Sequence, residues 1–213
     1  PPKRKEAFTA EAVRILLKEL PEDKMGWSIR LLLCTGMRTQ ELLALEPRHI
    51  AEDGSLITIE QALVMEKGTA MIGTPKSFDS YRCVPVPANF RYCARLLRDT
   101  NKKFIWETSR RLDYPCNPST FREKYKEALA SIPGVRYLSP HSCSHTYVSQ
   151  MQALGVDLAP IQSLVGHADV DMTKHYLHVQ DNIRLEAVDR FSDTFSKKGR
   201  GTFGNVLDYV KSS

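Results

Sequence analysis

The chain has 213 residues, 42% of them hydrophobic and 26% charged; this supports one globular domain with appendages and excludes collagen, coiled-coil rods and disordered tails. Lys plus Arg number 30 against 25 Asp plus Glu, a net charge of +5 with a pI near 9.0, which favours nucleic acid first and acidic membrane second. No apolar run approaches the ~18 residues of a membrane span, and Pro1-Pro2-Lys3-Arg4-Lys5 leads to Glu11 and Arg14 rather than to a signal-peptide core.

A first helix is expected from Phe8-Thr9-Ala10-Glu11, with Thr9 as N-cap and Val13, Leu16, Leu17 and Leu20 as its buried stripe; Pro21 stops it. A second apolar segment, Trp27 to Cys34, breaks at Thr35-Gly36. A third helix, Arg38 to Leu45, ends before Pro47, so Arg38 sits at a helix start just after a glycine turn. From Ser55 the period changes. Leu56–Ile59, Ala70–Ile72 and Tyr81–Val86 read as a three-stranded antiparallel sheet, with Pro85 and Pro87 marking the last strand as an edge. Helical pattern returns at Asn89 to Leu97 and, after Pro118, at Phe121 to Leu129. Ser139-Pro140-His141 opens a helix to Leu154, and a short one runs from Leu158 to Val165. Asp169 or Asp171 caps a last helix containing Tyr176. The stretch Ser196 to Gly201 has linker composition, so residues 1–190 are assigned to the folded domain and 191–213 to a flexible linker and tail. The expected fold class is α+β, mainly helical.

Cys34, Cys83, Cys93, Cys116 and Cys143 are odd in number, scattered and never paired as C-x-x-C, which suits a reducing compartment. A cytoplasmic protein is expected. Five of the six histidines fall between His141 and His178. His141 and His145 have the i, i+4 spacing of a zinc pair, but the glutamate of H-E-x-x-H is missing and Cys143 points off their shared face. Neither metal nor cofactor is expected.

More of the residues are explained together. Gly36-Met37-Arg38-Thr39-Gln40-Glu41-Leu42, Lys76 within Thr74 to Pro85, His141-Ser142-Cys143-Ser144-His145-Thr146, Leu164-Val165-Gly166-His167 and Thr173-Lys174-His175-Tyr176-Leu177-His178 stand in one order. From about Phe8 to Arg190 the sequence resembles the catalytic domain of tyrosine recombinases, the phage-integrase family, including integrases of conjugative transposons. The nine-residue step from His167 to Tyr176 is part of that resemblance.

The resemblance implies site-specific DNA recombination through a 3′-phosphotyrosine intermediate, with no ATP or metal, and a set of site residues: Arg38, Lys76, His141, Ser144, His167 and Tyr176. Tyr176 is then the nucleophile. Arg38 grips the phosphate through its planar fork, with Glu41 one turn later orienting it. Lys76 protonates the leaving 5′-oxygen, and His141 and His167 bond the phosphate and share proton transfer. The family motif H-x-x-R is interrupted, because Ser144 stands at its arginine position. Losing such a donor typically costs about 10² to 10³ in rate, so impaired cleavage is expected while DNA binding, spread over many phosphates, survives. Arg136 is a nearby cation in sequence that could compensate. The alternative is a catalytically inactive DNA-binding module with a regulatory or assembly role.

The family also implies double-stranded DNA as partner and a homo-oligomer, tetrameric on DNA and monomeric when free. Its N-terminal DNA-clamping domain is not expected in this chain. Phe203 to Val210 is the segment that would pass into a neighbouring subunit.

Overall fold

The computed structural model describes residues 6–73, 81–109, 111–165, 188–191 and 193. Helix α1 (Ala10–Glu19) begins where the Thr9 hydroxyl accepts the Ala12 amide at 3.1 Å, and it buries Val13, Leu16 and Leu17. Its last carbonyls meet one side chain of the next helix. Arg30, buried, donates to the carbonyls of Leu17, Leu20 and Pro21 at 3.3, 2.6 and 3.0 Å. A cation at a helix C-terminus satisfies both the orphan acceptors and the dipole there.

Helix α2 (Lys24–Thr35), capped by Asp23 on the Gly26 amide at 2.8 Å, has no polar stripe: Met25, Ile29, Leu31, Leu32, Leu33 and Cys34 are all buried. A helix apolar on all sides belongs at the centre. α2 accordingly packs against α1, α4 (Arg91–Arg98), α5 (Pro118–Ala130) and α6 (His141–Ala153). Trp106 ties a later loop to it through an Nε1–H bond to the Ser28 hydroxyl, 2.9 Å. Helix α3 (Thr39–Ala44) follows at once, and α7 (Leu158–Val165) packs on α6 and on the last strand.

Four strands form among the described residues, β1 (Leu56–Ile59), β2 (Ala62–Glu66), β3 (Thr69–Gly73) and β4 (Arg82–Pro85). They pair as two antiparallel sheets of two strands, β1 with β4 (Ile57 opposite Val84) and β2 with β3 (Val64 opposite Met71). The three-stranded sheet expected from sequence is thereby corrected. It lacked β2, whose only β-branched residue is Val64, so propensity hides it. The β2–β3 turn takes positive φ at both Lys67 (47°) and Gly68 (81°), matching the twist of a tight hairpin. The mainly helical α+β architecture stands as expected.

The core continues past residue 187. Val188 and Phe191 are buried, and the Phe191 ring lies 5.2 Å from that of Tyr147 on α6. Residues 194–213, including the Phe203 to Val210 segment, lie outside the described residues.

Gly36 joins α2 to α3 at a position that tolerates no side chain. It closes α2 at φ 67°, and a Cβ there would stand 2.4 Å from Tyr147 Cδ1 and 2.8 Å from Val165 Cγ1. Gly36→Ala therefore combines left-handed strain with overpacking and should cost about 2–4 kcal/mol. Urea unfolding measures it; a midpoint equal to that of the unaltered chain would contradict this account of the turn.

Candidate active site

The turn at Gly36 delivers Arg38 to the N-cap of α3. The carboxylate of Glu41 reaches back to accept the Arg38 amide at 2.7 Å, half of a capping box, and lies 3.4 Å from the Arg38 Nη1. Backbone and stem are thus held while the Arg38 side chain remains 37% exposed. Glu41 itself is buried, and its chief partner is another arginine. Arg82 grips it with two parallel bonds of 2.9 Å, and Arg82 Nε donates to the Leu164 carbonyl at 2.8 Å. Glu41 orients Arg38 mainly through the backbone, and Arg82 fastens α3, β4 and the end of α7 together.

Arg82 has no role in the sequence-based reading, yet a signal was there. Along β4 it shares a face with Val84 and Val86, both buried. An arginine aimed inward needs a carboxylate, and Glu41 in the short α3 is that carboxylate.

Across from this turn, α6 opens at His141. Gln40 Nε2 lies 3.4 Å from His141 Nε2, joining the first turns of α3 and α6 across 101 residues of sequence. The His141 imidazole is held below its ordinary pKa, first by burial and then by the positive charges of Arg122 and Arg38. The neutral form therefore predominates at pH 7. Its NMR titration midpoint should fall below the 6.5 of a free histidine. Between that midpoint and 6.5 the unfolded chain binds more protons, so this group makes stability rise with pH across that window. A midpoint at or above 6.5 would show that the two guanidiniums do not face the ring.

Ser144 stands one turn after His141 but turns inward. Its Oγ donates to the Gly36 carbonyl at 2.8 Å in a buried bond. Cys143 points deeper still, 3.5 Å from the Tyr125 hydroxyl on α5, with burial pushing its thiol up to about 12. Cys143 and His141 thus face different ways, as the sequence spacing implies. Among the described residues no three His, Cys, Asp or Glu side chains group as for a metal ion. Arg136 is engaged with Glu6.

Of the six site residues named from sequence, the structure gathers Arg38, His141 and Ser144 around the Gly36–Arg38 turn. Lys76, His167 and Tyr176 lie outside the described residues. Lys76 follows β3 in the chain, and His167 is two residues beyond α7. Arg122, on the exposed side of α5, went unnoticed in the sequence because nothing in its helical neighbourhood distinguishes it from Lys124 or Lys126.

Over residues 7–182 the sequence matches the Phage integrase family. The chain belongs to that family. It is 25% identical over 216 residues to a tyrosine recombinase XerC-like protein of Caldanaerobacter subterraneus subsp. tengcongensis, covering 89% of this chain and 54% of the relative. With tyrosine recombinase XerA of Pyrococcus furiosus it shares 27% over 191 residues, 86% of this chain and 61% of that one. The chain spans roughly half to three fifths of the length of these curated relatives. The fold agrees. An integrase from mycobacterium phage Brujita superposes with a TM-score of 0.65 at 20% identity, over 95% of this chain and 62% of that chain. The Tn1549 transposon integrase in complex with transposon right end DNA gives 0.62 at 17% identity, over 97% and 65%. The architecture is the tyrosine-recombinase catalytic fold, and among the described residues no helix is long and apolar enough to cross a membrane.

Proposed function

We propose that residues 1–190 are the catalytic domain of a cytoplasmic, site-specific DNA recombinase that cleaves and rejoins strands through Tyr176. The observation that carries this reading is the partly exposed Arg38 guanidinium, whose charge acts on the His141 imidazole, with Gln40 linking the starts of α3 and α6 across 101 residues of sequence. A planar cation at the start of α3 and an imidazole at the start of α6 suit a phosphate whose charge grows during displacement.

The Tyr176 oxygen attacks the phosphorus of a DNA phosphodiester, and the bond from phosphorus to the 5′-oxygen breaks. The tyrosine proton passes to a base, for which His141 and His167 serve, and Lys76 gives a proton to the departing 5′-oxygen. Arg38 holds the non-bridging oxygens throughout. The phosphotyrosine ester conserves the energy of the broken linkage, so a 5′-hydroxyl from a second DNA end restores a phosphodiester without ATP or metal. Two such exchanges between paired sites need several active sites at once, which fits a tetramer on DNA assembled from monomers; Phe203 to Val210 is the segment proposed to pass between subunits.

A second reading has a specific observation behind it. Ser144 spends its hydroxyl on the Gly36 carbonyl and brings no charge to the phosphate, as in a module that binds DNA without cutting it. Incubation with a library of nicked suicide duplexes, followed by denaturing electrophoresis, separates the two. A recombinase yields protein carrying covalent DNA, lost in Tyr176→Phe. Salt-dependent binding without any adduct, in the original chain and in Ser144→Arg alike, would leave only the binding module.

A further inference from the structure

Ser144 leaves the phosphate with one arginine where the family motif supplies two, and Arg136 is engaged elsewhere with Glu6. The described residues nevertheless hold a second guanidinium at this place. Helix α5 is fixed by its buried face: Phe121 packs edge-on against Trp106 at 5.0 Å, and the Tyr125 hydroxyl meets Cys143 of α6 at 3.5 Å. That contact sets α5 beside the first turn of α6, two residues from His141. Arg122 lies next to Phe121 and one turn before Tyr125, on the exposed side, and α5 also packs against α3, whose N-cap is Arg38.

His141 registers the neighbour directly. Of the two positive charges that act on its ring, that of Arg122 is the larger and that of Arg38 the smaller. Among the described residues Arg122 forms no ion pair with a carboxylate. An exposed guanidinium close to an imidazole, and with no carboxylate partner of its own among the described residues, favours the entry of an anion. We propose that Arg122, reaching from α5, is the second phosphate-binding arginine of this site and substitutes for the one that Ser144 displaces. This rests on the recombinase reading above and deepens it by completing the phosphate grip.

Inorganic phosphate probes the grip without any knowledge of the DNA target. The histidine Cε1–H resonances of the full chain are followed by NMR as phosphate is added at pH 7. Phosphate should shift the His141 signal. Arg122→Gln should weaken that binding about ten-fold, as Arg38→Gln does, corresponding to one lost charge-assisted contact. Arg122→Lys should retain part of it. Arg95→Gln on α4, which removes the same charge from an exposed site elsewhere, should change it little. The His141 titration midpoint should rise in Arg122→Gln and stay put in Arg95→Gln. The proposal falls if Arg122→Gln binds phosphate as tightly as the unaltered chain while Arg38→Gln does not. It falls equally if phosphate leaves His141 undisturbed in the unaltered chain. Neither result touches the adduct assay with Tyr176→Phe, which judges the recombinase reading separately. Adduct formation at the same rate in Arg122→Gln as in the unaltered chain sinks this proposal and leaves that reading intact.

Discussion

Glu41→Ala should destabilise the protein by about 3–5 kcal/mol, the usual consequence of leaving one buried charge without its partner. The carboxylate is 4% exposed and Arg82 only 7%, with two bonds of 2.9 Å between them. Removing Glu41 strands the Arg82 guanidinium against the end of α7, where water reaches poorly. It also takes the acceptor from the Arg38 amide at the start of α3, a cap worth about 1 kcal/mol. At roughly 2–4 °C per kcal/mol for a chain of this size, the melting temperature should drop by about 10 °C or more. Glu41→Ala with Arg82→Met removes both charges and should recover a large part of the loss, because the penalty lies in the unpaired ion. A single variant that melts within two degrees or so of the original would mean that the pair is wetter than its burial indicates. The effect then reaches the site: with α3 frayed, Arg38 loses its fixed position before any chemistry is tested.

What could be read from sequence follows from what each element depends on. Thr9, Gly36 and Pro118 act on their own neighbours, and the helices they bound lie within three residues of their expected limits. β2 depends on its pairing with β3 and so escaped, since pairing is not written in local propensity. The site divides the same way. Arg38, His141 and Ser144 stand in motifs that resemble those of the family, and the resemblance pointed to them. Arg82 depends on Glu41, 41 residues away, and only the inward face of a short strand hinted at it. Arg122 stands in no motif. It matters because a tyrosine–cysteine contact in the core sets α5 against α6, a fact of packing that no window of sequence contains.

Ser144→Arg should act in opposite directions on stability and on cleavage. The hydroxyl bond to the Gly36 carbonyl is lost, costing about 1 kcal/mol, and a larger side chain must leave a buried position. Position 144 lies one turn from His141 on α6, where i and i+3 side chains are neighbours, and arginine is long enough to carry its head past the carbonyl to the solvent edge. A second guanidinium delivered there restores a donor worth about 10² to 10³ in rate. The size of the gain depends on what already fills the place. With Arg122 present, Ser144→Arg should raise adduct formation on suicide duplexes only part of that way. In the Arg122→Gln background it should recover nearly the whole factor, because two cations that serve one phosphate oxygen pair are not additive. Initial rates of adduct formation from the four proteins of this cycle measure the coupling. Equal gains in both backgrounds would place Arg122 and residue 144 on separate tasks. A gain in neither, with Tyr176 intact and the fold verified by melting, would mean that phosphate charge does not limit the reaction at this site.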